Sequence, residues 1–323
     1  MAKTYRILSL SGGGVRGLIT AIWLNRLEQK LGGSIAPYFD LIAGTSTGSL
    51  IACAVAMGMK SDLIVDLYRT QSATIFPAPV PRFFNRALRV FSQGFDAPRY
   101  DGRGLESVLR SAFGDAAFGT LQVRTLVTSY DLQNREALVF KTNKPEHQSI
   151  PVWEICKASS AAPVYFPAHL LRLNDRTLPV TDGGVVANNP TACAIAEGVR
   201  LSNEGSLEER IDLNQFVVAS FGTGETTAPI TIEQSQNWGA LGWVMPLIDV
   251  LFDGSADAVD YIARQVLADA KYFRFQTPVG RENGAIDDAS PENLSGLTRI
   301  AETYLASTGD ALLDQLVSTI RSE

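Results

Sequence analysis

Strand-like and helix-like hydrophobic patterns alternate along the first part of the chain. Residues 5–10 form a short β-type run that ends in a glycine-rich segment, and apolar residues at helical spacing follow over 18–31. The same order recurs where the apolar run 41–43 leads into the helical stretch 50–57. Further buried strands are predicted over 121–130 and 216–220. This alternation predicts an α/β fold with a mostly parallel central sheet covered by helices on both faces.

The turn after the run 41–43 carries a serine between two glycines. Residues 44–48 read Gly-Thr-Ser-Thr-Gly, and Gly44 and Gly48 stand two positions either side of Ser46. A sharp turn from a strand into a helix needs small residues at these positions, because the helix packs closely against the strand. The positive N-terminal end of that helix would face whatever reacts at the hydroxyl. Ser46 is therefore a candidate nucleophile at the elbow of a hydrolase.

The glycine-rich loop at 12–17, Gly-Gly-Gly-Val-Arg-Gly, supports two interpretations. It fits the dinucleotide-binding pattern G-x-G-x-x-G, but the acidic residue expected at the end of the second strand is missing, since Asp40 precedes that strand. Alternatively, its unshielded backbone N–H groups form an oxyanion hole beside a nucleophile. In that case Arg16 adds positive charge or holds the loop in place.

A serine nucleophile needs a base, and the chain offers few histidines. Only His147 and His169 occur, whereas the order of an α/β-hydrolase triad requires a histidine after the acid. Asp182 is the better candidate, because it ends the strand-like segment 177–181 and precedes two glycines that allow close contact with another loop. A carboxylate shielded from water has a raised pKa and can take a proton directly. An ordinary Asp-Gly turn is the alternative, and Pro179 favours an edge position for this strand.

Four segments together resemble the motifs of patatin-like phospholipases. They are residues 7–17 (ILSLSGGGVRG), 44–48 (GTSTG), 158–163 (ASSAAP) and 182–190 (DGGVVANNP). The resemblance extends from residue 5 to the segment 220–224 (SFGTG). It implies a three-layer α/β/α sandwich that hydrolyses fatty acyl esters of phospholipids, galactolipids or neutral lipids without a metal or other cofactor.

The same resemblance assigns roles to individual residues. Ser46 is implied as the nucleophile and Asp182 as its base, in a Ser-Asp dyad without histidine. The oxyanion hole is implied to comprise Gly12, Gly13, Gly14 and Arg16. Two positions depart from the family pattern, with Ser11 where many members have Asp and Ser49 where many have Gly.

Composition narrows the partners and the location. The net charge of -6 argues against nucleic acid as a partner. The three cysteines lie far apart and form no C-x-x-C pair, which indicates free thiols. The N-terminal residues lead directly into a strand pattern, so we expect a cytoplasmic protein that contacts a membrane surface transiently. Nothing in the sequence indicates an oligomeric state.

We expect a single domain over residues 1–323, with a cap inserted around 76–100 and a helical C-terminal part from about residue 230. The stretch 76–95 is cationic and aromatic without any acidic residue, so it is a candidate for contact with an anionic lipid surface; a packed helical hairpin is the alternative. The apolar run 244–252, with Trp238 and Trp243 before it, is expected to pack in the core or to line an acyl channel. From Pro291 onward two helices are predicted, with Ser290 as N-cap.

Three functions remain open on the sequence alone. A lipid acyl hydrolase acting on phospholipids or glycolipids through an acyl-enzyme is the first. The second is a hydrolase switched by a small ligand, since the chain also resembles bacterial patatin-like effectors that cyclic nucleotides activate. The third, from another class, is a nucleotide-binding module that uses the glycine loop.

Overall fold

The computed structural model describes residues 4–78, 97–207, 210–227, 229–267 and 271–322. These residues form ten strands, namely β1 (Tyr5–Leu10), β2 (Leu41–Thr45), β3 (Arg124–Asp131), β4 (Glu136–Lys141), β5 (His169–Leu173), β6 (Arg176–Asp182), β7 (Phe216–Phe221), β8 (Glu225–Thr226), β9 (Tyr272–Phe275) and β10 (Pro278–Val279). The α-helices of the same residues are α1 (Gly17–Leu31), α2 (Thr47–Ala56), α3 (Ser61–Ile75), α4 (Arg103–Phe113), α5 (Pro145–Gln148), α6 (Val152–Ser159), α7 (Gly184–Ala187), α8 (Thr191–Asn203), α9 (Ile232–Asn237), α10 (Ala240–Val266), α11 (Pro291–Tyr304) and α12 (Asp310–Ser322).

Eight strands form one sheet in the order β5-β6-β3-β2-β1-β7-β9, with β4 paired to β3 beside that path. The five strands from β3 to β9 in this order run parallel, whereas β4, β5 and β6 join antiparallel. The short strands β8 and β10 form a separate parallel pair. The prediction of an α/β fold with a mostly parallel sheet is confirmed.

Helices cover both faces of the sheet, because alternate residues of each strand point to opposite faces. In β1, Leu8 and Leu10 belong to a large core that includes residues of α1, α2, α3, α11 and α12. Tyr5 and Ile7 belong to a second, smaller core with residues of α8 and α10. The sheet is therefore the middle layer of three.

One edge of β3 accommodates two strands end to end. Along that strand, β4 pairs with Leu126–Asp131 on one side. The opposite side of β3 pairs with β2 as far as Thr128, and then with β6 from Ser129 onward. Because β2 runs parallel to β3 and β6 runs antiparallel, the carboxyl ends of β2 and β6 meet. Ser46 follows the first of these ends, and Asp182 is the last residue of the second.

The predicted edge position of the strand around Pro179 is wrong, because β6 lies between β5 and β3. The proline is nevertheless tolerated. The register of β6 with β3 covers only Val180 to Asp182, and beyond it the Pro179 carbonyl accepts a hydrogen bond from the N–H of Leu132, in the turn after β3, at 3.0 Å. The ladder between β6 and β3 therefore does not require the backbone N–H that proline lacks.

The C-terminal part differs from its expectation in two ways. Besides the helices α9 to α12, it contributes β9 to the central sheet. The apolar run 244–252 is not wholly in the core: Ile248 and Phe252 are buried, whereas Val244, Leu247 and Leu251 are exposed. Helix α11 begins as predicted, with Ser290 Oγ accepting a hydrogen bond from the Asn293 N–H.

The proposed cap falls mostly outside the described residues, which exclude 79–96. No helix found among the described ranges combines the length and the apolar character needed to cross a bilayer. Residues 41–59 carry no charged side chain, and they contain strand β2 and helix α2, which are both buried.

Replacing Gly44 with alanine tests the close approach of β2 and α2. A Cβ atom there would meet the backbone carbonyl of Gly48, a contact that only a backbone shift relieves. We expect Gly44→Ala to lower the free energy of unfolding by about 1–3 kcal/mol, as measured by urea denaturation. Gly33→Ala is the matched control, because nothing lies within 4 Å of its Cβ position. Equal stability of the two variants would contradict the packing described here.

Candidate active site

Ser46 occupies a strained turn between β2 and α2. Its backbone angles, φ 53° and ψ −125°, are ones that a residue with a side chain rarely adopts, at a cost of about 1–3 kcal/mol. Neighbouring groups hold this conformation. The Ser46 N–H donates to Ser159 Oγ at 2.8 Å, and the Ser46 carbonyl accepts from both the N–H and the Oγ of Ser49. The turn therefore has the geometry expected of a nucleophile elbow.

The two glycines of the elbow are required by close backbone contacts. A Cβ atom on Gly48 would meet the carbonyl oxygen of Leu10, at the end of β1. One on Gly44 would meet the first turn of α2. These contacts bring the N-terminus of α2 against the ends of two neighbouring strands.

The two predicted catalytic side chains lie where the carboxyl ends of β2 and β6 meet. Ser46 Oγ donates a hydrogen bond to Asp182 Oδ2 at 2.7 Å. The other carboxylate oxygen, Oδ1, accepts from the Gly184 N–H at 2.7 Å. Both side chains are buried, and that of Asp182 is 0% exposed. The carboxylate is thus fixed by one backbone N–H and aimed at a single hydroxyl.

Burial makes Asp182 an unusually strong base. Removal from water raises the pKa of its carboxyl to about 7, and the hydrogen bonds from Ser46 and Gly184 offset only part of that rise. A carboxyl with a pKa near neutrality is well matched to taking and returning a proton at neutral pH.

The two histidines lie elsewhere. His147 is buried, accepts a hydrogen bond at Nδ1 from the Lys141 N–H, and has a pKa lowered to about 4 by burial. His169 is on β5, with its Nε2 3.3 Å from Glu154 Oε1. Neither contacts Ser46 or Asp182, so no histidine serves this pair.

The glycine loop lies beside Ser46, and its three amides differ. The Gly12 N–H donates to the Asn188 carbonyl at 3.0 Å and is already used. Within the described part of the chain, the amides of Gly13 and Gly14 have no acceptor. Cβ atoms at these two positions would collide with Thr223 and with the Ile286 carbonyl. A Cβ atom on Gly12 would likewise meet Asn188 Oδ1, so contacts within the protein account for Gly12 and Gly14, two of the glycines that match a dinucleotide-binding pattern.

Arg16 lies behind this loop rather than in the catalytic cavity. Its Nη1 donates to Thr226 Oγ1 at 2.9 Å, and its Nε has no partner among the described residues. Burial lowers the pKa of the guanidinium, while the carboxylates of Asp253 and Asp249 act to raise it. Arg16 lines a small polar cavity with Asp253. This placement fits a side chain that holds the loop.

An apolar cavity opens at the dyad. It is partly open to solvent, and Ser46, Asp182 and Gly14 contribute to its lining. Most of the other lining side chains are aliphatic or aromatic and come from α2, α3, α4, α10 and the segment 160–166. Such a cavity suits a hydrocarbon chain.

Sequence reasoning missed three supporting residues. Ser159 holds the Ser46 N–H, Asn188 holds the glycine loop, and Tyr68 contacts Thr47 through its hydroxyl. Ser159 and Asn188 lie inside segments that carry the family resemblance, which is the signal that could have identified them. Tyr68 lies on α3 outside these segments, and its only sequence signal is an apolar helical spacing.

Comparison with known proteins identifies the family. The sequence profile of the family described as patatin-like phospholipase matches residues 8–195. The chain belongs to the patatin-like phospholipase family. Patatin-like protein 2 of Arabidopsis thaliana is 31% identical over 351 residues, which cover 97% of this chain and 84% of that protein. Patatin-04/09 of Solanum tuberosum is 29% identical and is matched over 93% of this chain and 83% of its own length.

Solved structures give a more distant likeness. Human GIVD cytosolic phospholipase A2 aligns with a TM-score of 0.47 and 12% identity, over 99% of this chain and 61% of that one. Membership of the patatin-like phospholipase family supports lipid acyl hydrolase activity for this chain.

The buried carboxyl makes a prediction for stability. The folded state binds the Asp182 proton up to a pH of about 7, whereas the unfolded state releases it near 3.8. The folded state therefore holds more protons between these values, and its stability falls as the pH rises through that window. We expect Asp182→Asn to stabilise the protein by roughly 4 kcal/mol at pH 8 and by much less at pH 4.

Thermal unfolding of both proteins across this pH range measures the difference. Asp131→Asn is the matched control, because Asp131 is also buried but accepts three hydrogen bonds from the turn that follows it. If the Asp182→Asn variant is less stable than the wild type at every pH, burial of the ionised carboxylate does not lower the stability of the folded state.

Proposed function

We propose that this chain is a carboxylic ester hydrolase that cleaves fatty acyl esters of phospholipids or glycolipids through a Ser46-Asp182 dyad. The observation that carries this proposal is the 2.7 Å hydrogen bond from Ser46 Oγ to Asp182 Oδ2 at a buried elbow that no histidine reaches. Family membership supports the substrate class, and the apolar cavity at the dyad supports an acyl chain as the bound group.

The proposed reaction proceeds in two halves. In the first, ionised Asp182 accepts the Ser46 proton while Oγ attacks the ester carbonyl, and the protonated carboxyl then gives the proton to the leaving alcohol. In the second, a water molecule attacks the acyl-enzyme, Asp182 again takes and returns the proton, and the fatty acid is released. The aspartate thus performs both proton transfers that a histidine performs in a triad.

The amides of Gly13 and Gly14 are the proposed donors to the oxyanion. They belong to the loop next to Ser46 and have no other acceptor in the described residues, unlike the amide of Gly12. Backbone N–H groups fixed in advance stabilise the tetrahedral intermediate without reorganisation. In this proposal Arg16 does not contact the oxyanion and holds the loop in place through its hydrogen bond to Thr226.

Substitution of the dyad tests the assignment. We expect Ser46→Ala and Asp182→Asn each to lower kcat/KM for a soluble short-chain ester by about 1,000-fold or more, because each removes a group that takes part in proton transfer or covalent catalysis. A fluorophosphonate probe should label the wild type at Ser46 alone, as located by peptide mass spectrometry.

The control for loss of a buried carboxylate is again Asp131→Asn, which should retain activity within a few-fold. Labelling at a different serine would refute Ser46 as the nucleophile. Full activity of Asp182→Asn would refute the aspartate as the base.

The pH dependence of activity tests the base independently. Asp182 must be ionised to accept the proton, so kcat/KM for an uncharged soluble ester should rise with pH and level off above about 7. One ionisation should describe the rise. A profile that is flat from pH 5 to 9, or that falls across this range, is incompatible with the proposed role.

A further inference from the structure

Helix α10, Ala240–Val266, divides into three faces. At about 100° of rotation per residue, Ile248, Phe252 and Ala256 fall on one side and are buried. Asp249, Asp253 and Asp257 fall on the next. The remaining face carries most of the exposed apolar side chains of the helix, namely Val244, Leu247, Val250, Leu251, Tyr261 and Ile262.

The exposed side of the helix is unusual for a protein surface. Val244, Leu247 and Leu251 are 41–44% exposed and follow one another at i, i+3 and i+7. No charged residue of the helix falls on this face. We call these three residues, with Val250, the outer face of α10. A contiguous exposed apolar stripe of this kind marks an interaction surface.

Two tryptophans lie at the N-terminal end of α10, close in sequence to Val244. Trp238 and Trp243 pack edge to face with their ring centroids 5.3 Å apart, and both are half-buried. The other two tryptophans, Trp23 and Trp153, are buried in the core. Tryptophan is enriched where a protein meets the boundary between lipid and water.

The inner side of α10 is continuous with the catalytic cavity. Phe252 lines that cavity, and its ring touches Gly184, whose N–H holds the Asp182 carboxylate. Ser255, further along the helix, accepts a hydrogen bond from the Asn188 N–H. The outer face is therefore only the thickness of one helix, about 10 Å, from the wall of the cavity.

We propose that the outer face of α10 is the surface through which this protein docks on a lipid bilayer of zwitterionic or uncharged headgroups. Docking there brings the wall of the catalytic cavity within about one helix thickness of the bilayer that holds the substrate, and the inference rests on the proposed function in that respect. The acidic face disfavours an anionic surface, since the helix carries four aspartates and a single basic residue, Arg264.

Vesicle binding by an inactive protein tests this surface without catalysis. The full chain with Ser46→Ala is titrated with phosphatidylcholine vesicles, and binding is followed by sedimentation and by tryptophan fluorescence. We expect binding with a blue shift that comes from Trp238 and Trp243. Replacing Val244, Leu247 and Leu251 together with serine should weaken the partition by about tenfold or more, because three apolar side chains no longer enter the interface.

Matched controls are Leu63→Ser and Leu170→Ser, which remove leucines that are even more exposed, on other surfaces, and should leave binding unchanged. If the triple variant fails to fold by circular dichroism, Leu247→Ser alone serves, with a smaller expected loss. Including phosphatidylglycerol in the vesicles should weaken binding. Stronger binding to the anionic vesicles that ignores the triple substitution would overturn the proposal.

Activity measurements separate this inference from the proposed function. With Ser46 restored, the triple variant should hydrolyse a soluble ester like the wild type and lose activity on vesicles. Vesicle binding through the outer face without any ester hydrolysis would refute the proposed function and leave docking intact. A dimer that the triple variant converts to monomer, with vesicle binding unaffected, would assign the face to a second copy of this chain and overturn docking.

Discussion

The site depends on one edge of β3, where two strands approach from opposite directions. Strand β2 occupies this edge as far as Thr128, and β6 occupies it from Ser129. Because their carboxyl ends meet there, the residue after β2 and the last residue of β6 are brought together although they are 136 positions apart. The backbone hydrogen bonds of the sheet thus fix the distance between Ser46 and Asp182, which does not depend on the conformation of a flexible loop.

Burial of the carboxylate then sets its chemistry. An ionised aspartate without a basic partner is unfavourable in an apolar interior, and among the described residues only the N–H of Gly184 and the hydroxyl of Ser46 offset this cost. The resulting pKa of about 7 explains how an aspartate could do the work of a histidine in the proposed mechanism. The same burial lowers the stability of the folded state at neutral pH, which is a common cost of placing a functional group in the interior.

How far the sequence leads depends on whether a feature is local. The elbow around Ser46 and the glycine loop could be predicted, because strained turns and close backbone approaches restrict the residue type at each position. The alternating patterns likewise predicted the parallel part of the sheet. The place of β6 could not be predicted, since Pro179 indicates only that the N–H of that residue is missing from the ladder, and strand order is set by pairing between distant segments. The same limit hid the partners of Gly12 and Arg16.

The apolar run 244–252 shows a different limit. Hydrophobic residues at helical spacing predict a helix with a buried side, yet a run that is apolar on two sides cannot reveal which of them is buried. Ile248 and Phe252 pack in the core, whereas Val244, Leu247 and Leu251 contribute nothing to core packing. In a protein that acts only in water this surplus brings a risk of aggregation and no packing energy. In a lipid hydrolase the same residues have a use, because apolar surface beside the cavity is stabilised when it meets the bilayer that holds the substrate.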